Sequence, residues 1–78
     1  MFNITIQTCE SIPCVVPEGR LDTVNSIPFS EQLNTLAETE PYLIIDLIKC
    51  NYLSSSGIRA LMSANKKLAI QGGFLVLT

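Results

Sequence analysis

The chain has 78 residues, of which 47% are hydrophobic and 15% charged, and its net charge is −2. This length holds one domain, and the hydrophobic content excludes a disordered chain. The few, scattered basic residues exclude an electrostatic surface for nucleic acid. No apolar run approaches the roughly 20 residues of a membrane span, and no signal peptide opens the sequence, so we expect a cytoplasmic protein without membrane contact.

The composition gives little support to catalytic or metal chemistry. The chain has no histidine, which is the commonest general base and zinc ligand. Its three cysteines, Cys9, Cys14 and Cys50, form no CxxC motif. We therefore expect neither a metal nor a cofactor and interpret the cysteines as small buried hydrophobic residues. A Cys9–Cys14 crosslink across a hairpin is the alternative.

The N-terminal segment predicts a β-hairpin. Residues 2–8 alternate apolar and polar side chains, which is the period of a strand with one buried face. A second strand is predicted over residues 12–16, with the turn at residues 9–13. Pro13 and Pro17 donate no backbone hydrogen bond, so their nitrogens must face a sheet edge or fall outside the pairing.

A helix and a buried strand follow. Asn25 or Ser26 can cap the helix with its side chain, and Pro28 fits the first turn. The predicted core positions of this helix are Phe29, Leu33 and Leu36. Residues 42–48 are almost all apolar and rich in branched side chains, which predicts a central strand buried on both faces.

A second helix is predicted after the serines of residues 54–56, ending at Gly72 and Gly73, before a last apolar strand that begins at Phe74. Its predicted core positions are Ile58, Leu61, Met62, Asn65, Leu68 and Ala69, and its predicted solvent positions are Arg59, Lys66 and Lys67. The order β-β-α-β-α-β indicates an α/β domain whose last two strands are parallel. Two helices are too few to cover both sheet faces, so either one face lies open to a partner or C-terminal sequence is missing; we favour a truncated chain.

The joint between strand and second helix, Ser54-Ser55-Ser56-Gly57, allows four interpretations. One serine can cap the helix, with Gly57 allowing a sharp backbone turn. A nucleophilic serine would need an adjacent base, and no histidine is present to serve as one. A phosphate-binding loop lacks its usual lysine motif. A phosphoacceptor needs only an exposed hydroxyl, and three consecutive hydroxyls exceed what one cap requires.

Several motifs occur together in a recognisable order: Gly19-x-Leu21-Asp22, the strand at residues 44–47, YLSSSGIRAL at residues 52–61, and the GGFLVL segment. In this order and spacing the chain resembles the STAS domain of bacterial anti-sigma-factor antagonists over nearly its whole length, as one domain spanning residues 1–78. The resemblance implies a mixed β-sheet flanked by helices and a non-enzymatic role in partner switching. The expected partners are an anti-sigma factor that is also a GHKL-type serine kinase, and a PP2C-like phosphatase.

The resemblance also assigns roles to residues. The acceptor in the best-known members is the first serine of Asp-Ser-Ser/Thr-Gly, which corresponds here to Ser55, with Ser54 where the aspartate usually stands. Asp22, Ser54, Ser56 and Gly57 are implied to line the partner-binding patch. Because the family continues past the FLVL strand, we expect a C-terminally truncated chain that could form a homodimer. The alternative function is a scaffolding or ligand-sensing STAS domain that is not phosphorylated.

Overall fold

The computed structural model describes residues 2–78, which form one five-stranded sheet and two helices. The elements in chain order are β1 (Asn3–Cys9), β2 (Ile12–Leu21), α1 (Ser26–Thr39), β3 (Tyr42–Ile45), β4 (Cys50–Leu53), α2 (Ser55–Ile70) and β5 (Phe74–Leu77). The predicted mixed α/β fold is confirmed, with one additional strand, β4. Neither helix combines the length and apolar character needed to cross a membrane.

The predicted hairpin is confirmed, and its second strand is longer than predicted. β1 pairs antiparallel with β2, and the tight turn consists of Glu10 and Ser11, whose φ angles are 52° and 72°. Positive φ at both central residues is the requirement of a type I′ turn, which matches the twist of a hairpin. Pro13 and Pro17 lie opposite Thr8 and Ile4 in the antiparallel pairing with β1. They fall outside both parallel registers of β2, at residues 14–15 with β3 and 19–21 with β4. Their missing N–H groups therefore remove no bond from those ladders.

The central strand predicted over residues 42–48 is confirmed as β3, which lies between β2 and β5, but it is three residues shorter than predicted. β3 ends at Ile45, and the N–H of Cys50 closes a turn by donating to the carbonyl of Leu47 at 3.0 Å. Asp46 stabilises this turn, since its Oδ1 accepts from the N–H of Ile48 at 3.0 Å. β4 then continues beside β2 in the parallel direction. The break brings the end of β4 level with the end of β2.

Both helices bury their apolar sides against one face of the sheet. The core consists of Val15, Leu21, Phe29, Leu33, Ala37, Leu43, Ile45, Ala60, Leu61, Ala64 and Leu68. The prediction for α1 is confirmed at Phe29 and Leu33, and Leu36 packs partly buried against the same cluster. Because strand side chains alternate, Cys14, Val16 and Ile44 point to the opposite face, which no helix of residues 2–78 covers.

The predicted core face of α2 is only partly correct. Leu61 and Leu68 are buried, but Ile58, Met62, Asn65 and Ala69 are exposed. The small residues Gly57, Ala60 and Ala64 are buried instead. Small side chains allow α2 to approach its neighbours closely, which rotates the buried stripe away from the bulkier residues.

Asn65 has a specific role at the end of the sheet. Its Oδ1 accepts from the N–H of Leu75 at 3.0 Å, while β5 pairs on its other side with β3. An edge strand otherwise leaves such groups unpaired. The asparagine among apolar positions of α2 is thus a partner for the outer edge of β5.

The turn between α2 and β5 depends on two adjacent glycines for different reasons. Gly72 has a φ of +85° and open space around it, whereas a Cβ on Gly73 would lie 1.7 Å from the carbonyl oxygen of Pro41. The N–H of Gly73 donates to the carbonyl of Leu68 at 2.8 Å and so closes the helix. Gly72 is required for its positive φ, and Gly73 is required because a side chain there would clash with Pro41.

We predict that Gly73→Ala destabilises the protein more than Gly72→Ala. The first substitution forces backbone apart and should cost about 3 kcal/mol, at the upper end of overpacking penalties. The second adds only left-handed strain, about 1 kcal/mol. Urea denaturation of both variants measures the difference, and equal losses would contradict this packing.

Candidate functional site

The strands β2 and β4 end side by side, and this places the serine joint against the loop that follows β2. Leu21 pairs with Leu53 at the last position of the two strands. The carbonyl oxygen of Leu21 then accepts two hydrogen bonds from Ser54, from its N–H at 3.0 Å and from its Oγ at 2.8 Å. The start of α2 is therefore fastened to the end of β2.

Ser54 is the residue that caps α2. Its backbone is extended, with φ −83° and ψ 168°, and its Oγ accepts from the N–H of Gly57 at 3.1 Å. The same hydroxyl donates to Leu21, so both its donor and its acceptor function are used. The capping interpretation is confirmed for Ser54, and this hydroxyl is committed to structure.

Ser55 and Ser56 differ from Ser54 in their surroundings. Ser55 is the first residue of α2 and is exposed, and its hydroxyl forms no hydrogen bond with any side chain or backbone group of residues 2–78. Ser56 is half-buried and lines the groove described below. No hydrogen bond within the described chain joins either hydroxyl to a carboxylate or an amine, which a nucleophilic serine requires.

Gly57 is needed for packing and not for a sharp turn, so the sequence-based expectation about its backbone is wrong. The residue lies within α2, and the described glycines with positive φ are Gly19 and Gly72. A Cβ on Gly57 would lie 2.9 Å from Leu53 Cδ1 and 3.0 Å from Leu21 Cγ. Gly57 is buried, so it supports the serine surface from beneath.

Asp22 organises the loop that starts α1. Its Oδ1 accepts from the N–H of Asn25 at 2.9 Å, and its carbonyl accepts from both the N–H and the Oγ of Ser26, at 2.9 and 2.6 Å. Asn25 occupies the cap position without a side-chain cap bond, because its Nδ2 donates to the carbonyl of Arg20. The prediction of Asn25 as the cap residue is confirmed in position, but the expected side-chain cap bond is not formed. Asp22 instead caps the turn that leads into α1, because its carboxylate accepts from an N–H three residues further on.

An open groove of about 520 Å³ runs between the N-terminal halves of the two helices. Its lining residues are Thr23, Ser26, Ile27, Ser30, Glu31, Ser56, Arg59, Ala60 and Ser63. Ile27 and the neighbouring Val24 are strongly exposed apolar side chains. No pattern in the sequence predicted this groove. The available signal was the spacing of Ser56, Ala60 and Ser63, which places small side chains along one side of α2.

The STAS domain family model matches residues 3–78. The chain belongs to the STAS domain family. This match spans both strands and both helices that build the serine joint, so the joint belongs to the domain itself.

Solved structures resemble this STAS domain closely in fold. An anti-sigma factor antagonist from Mycobacterium paratuberculosis has a TM-score of 0.83 at 24% identity, covering 99% of this chain and 68% of the other. Unphosphorylated SpoIIAA, an anti-sigma factor antagonist, has a TM-score of 0.80 at 15% identity, covering 99% of this chain and 71% of the other. An antisigma-factor antagonist STAS domain from Rhodobacter sphaeroides has a TM-score of 0.77 at 19% identity, covering 100% of this chain and 86% of the other. No curated protein sequence gives a significant match.

The cysteines of the STAS domain lie in three different environments. Cys14 is buried, Cys50 is half-buried and Cys9 is exposed, and all three are free thiols. The buried-hydrophobe prediction is confirmed for Cys14 and wrong for Cys9, and the crosslink between them is not formed. Burial raises the pKa of the Cys14 thiol, and the nearby Asp46 and Cys9 raise it further. Cys14 is therefore protonated at neutral pH and a poor nucleophile.

We predict that the STAS domain tolerates Ser55→Ala but not Ser54→Ala. Removing the Ser54 hydroxyl deletes a helix cap and should cost about 1–2 kcal/mol. Removing the exposed Ser55 hydroxyl deletes no contact and should change stability by less than about 0.5 kcal/mol. Denaturant titrations of the two single variants provide the comparison. A larger loss for Ser55→Ala would show that the roles are assigned to the wrong serines.

Proposed function

We propose that this STAS domain is an anti-sigma-factor antagonist that is switched off by phosphorylation of Ser55. The observation that carries the proposal is the contrast at the joint: the Ser54 hydroxyl is fully hydrogen-bonded, and the adjacent Ser55 hydroxyl is exposed and uncommitted. The solved structures of similar fold support it, since three of them are anti-sigma factor antagonists. The unmodified domain binds an anti-sigma factor and so frees a sigma factor.

The chemistry of the switch is supplied by the partners. The anti-sigma factor is proposed to be a GHKL-type serine kinase, which transfers the γ-phosphoryl group of ATP to Ser55 Oγ. The new P–O bond replaces the bond to ADP, and the hydroxyl proton passes to a base of the kinase. A PP2C-like phosphatase hydrolyses the phosphoserine with water and releases inorganic phosphate. The STAS domain contributes the acceptor and performs no catalysis.

Electrostatics explains why phosphorylation would end binding without unfolding the domain. A phosphate adds a charge of about −1.5 to −2. The N-terminus of α2 stabilises this negative charge by about 0.3–1 kcal/mol. Ser55 also gives up no internal hydrogen bond when it is modified. A partner that packs over Ser55 would have to desolvate the phosphate, at several kcal/mol. About 3 kcal/mol already weakens binding more than 100-fold.

The other residues of the proposed patch contribute in different ways. Ser56 can contact the partner directly because it lines the groove. Asp22 and Ser54 act by holding the loop and the joint in place, and Gly57 lies beneath them. The partner surface thus consists of Ser55, Ser56 and the groove, on a framework fixed by the remaining residues.

A second candidate function is assembly with other STAS domains, or ligand sensing, without phosphorylation. The open sheet face favours assembly, since the exposed rings of Tyr42 and Phe74 lie there with their centroids 4.8 Å apart and their planes tilted by 49°. Homodimerisation through this face belongs to the same candidate. A Ser55→Asp variant distinguishes the two functions, because assembly through the sheet does not involve the serine joint.

We predict that an anti-sigma factor of the GHKL kinase type phosphorylates this protein with ATP at Ser55, and that Ser55→Ala abolishes the label. Ser55→Asp should weaken kinase binding by about 10- to 100-fold through desolvation of the carboxylate. Thr8→Asp adds the same charge at an exposed position of β1 and should bind normally. Mass spectrometry and calorimetry give the two readouts.

Two outcomes contradict the proposal. One is phosphate on a residue other than Ser55, or label that persists in Ser55→Ala. The other is equal affinity of the kinase for the phosphorylated and unmodified domains.

A further inference from the structure

Arg59 is placed to interact with the same hydroxyl that the proposed function assigns to phosphorylation. It follows Ser55 by four residues on α2, and both are exposed. Residues at this spacing lie on the same side of a helix, with Cβ atoms about 5–6 Å apart. Arg59 also lines the groove between the helices. It therefore connects the acceptor residue with the proposed docking surface.

The guanidinium of Arg59 is not engaged in an ion pair. The ion pair found within residues 2–78 joins Lys67 to Glu38, at 3.9 Å. Glu31 lines the opposite wall of the groove, but it does not come within ion-pair distance of Arg59. A cation that is free and exposed at a groove is available to an acidic group of a partner.

A phosphate on Ser55 would change this availability. Guanidinium binds phosphate through two parallel hydrogen bonds, which are stronger than those between neutral groups. An acidic group four residues before a basic one is also the favoured order on a helix, because it agrees with the helix dipole. The phosphate and Arg59 would meet these conditions without any movement of the backbone.

We propose that Arg59 is a docking contact for an acidic side chain of the partner and that phosphorylated Ser55 captures it within the same helix. This inference rests on the proposed function of Ser55 and extends it. The modification then acts in two ways: it adds a negative group to the surface and withdraws the cation that the partner needs. Glu31 on α1 is the acidic side chain that lines the same groove as Arg59, and Asp22 adds negative charge in the loop before α1.

The capture can be tested without the kinase. Phosphoserine is placed at position 55 during translation, and its second pKa, ordinarily about 6, is measured by ³¹P NMR titration. We expect Arg59→Gln to raise this pKa by about 0.3 units or more, the equivalent of one helical ion pair. Arg59→Lys should keep the pKa closer to that of the parent domain than Arg59→Gln does. Glu31→Gln should lower the pKa, because it removes a nearby negative charge. Lys66 is an exposed cation elsewhere on α2, so Lys66→Gln should leave the pKa unchanged.

The docking half is tested with the unmodified domain and its kinase partner. Arg59→Gln should weaken binding by about tenfold, while Lys66→Gln should not. A phosphoserine pKa that is the same with and without Arg59 overturns the capture, and unchanged partner affinity overturns the docking contact. If the kinase ignores Ser55, the proposed function fails, but the NMR result still decides whether Arg59 binds the phosphate.

Discussion

The serine joint depends on the carbonyl oxygen of Leu21, which accepts both the N–H and the hydroxyl of Ser54. These two bonds fix the start of α2 to the end of β2 and leave Ser55 on the surface. The same region is packed tightly, because Leu21 is fully buried and lies against Gly57. Asp22, the next residue, holds the loop that leads into α1. Two adjacent residues, Leu21 and Asp22, thus hold the starts of the two helices that border the groove.

The separation of the structural serine from the exposed one is what makes a charge-based switch physically reasonable. A modification of Ser54 would remove the cap and its bond to Leu21, and the helix start would loosen. A modification of Ser55 meets no such constraint, and the helix N-terminus tolerates a negative group. Arg59 lies one turn further along the same helix and is exposed. The surface can therefore change while the framework stays the same.

The sequence predicted those features that depend on regular periodicity. Alternation along residues 2–8 identified the hairpin, and helical spacing identified Phe29 and Leu33 as core residues. Uniformly apolar sequence gave less information, so the break between Ile45 and Cys50 was missed. The face of α2 was misplaced because small buried alanines carry a weaker hydrophobic signal than exposed residues such as Met62.

The motifs directed attention to the serine joint, but they did not predict its internal geometry. Which serine serves as the cap depends on Leu21, a residue that only the parallel pairing of β2 and β4 brings into contact. The groove requires two helices that are distant in sequence, so no single segment contains its signal. Gly57 was singled out in the sequence, but for a backbone turn and not for packing. The neighbours that exclude a side chain there come from two different strands, which the local sequence does not reveal.

Amide hydrogen exchange can show whether phosphorylation changes the surface alone or also loosens the start of α2. The exchange rates at the joint are compared between the unmodified domain and the domain with phosphoserine at position 55. The N–H groups of Ser54 and Gly57 report the bonds to Leu21 and to the capping hydroxyl. If the framework is independent of the modified residue, both amides keep their protection while affinity for the anti-sigma factor is lost. Faster exchange at Gly57 on phosphorylation would contradict the account, since the switch would then act by unfolding the start of α2.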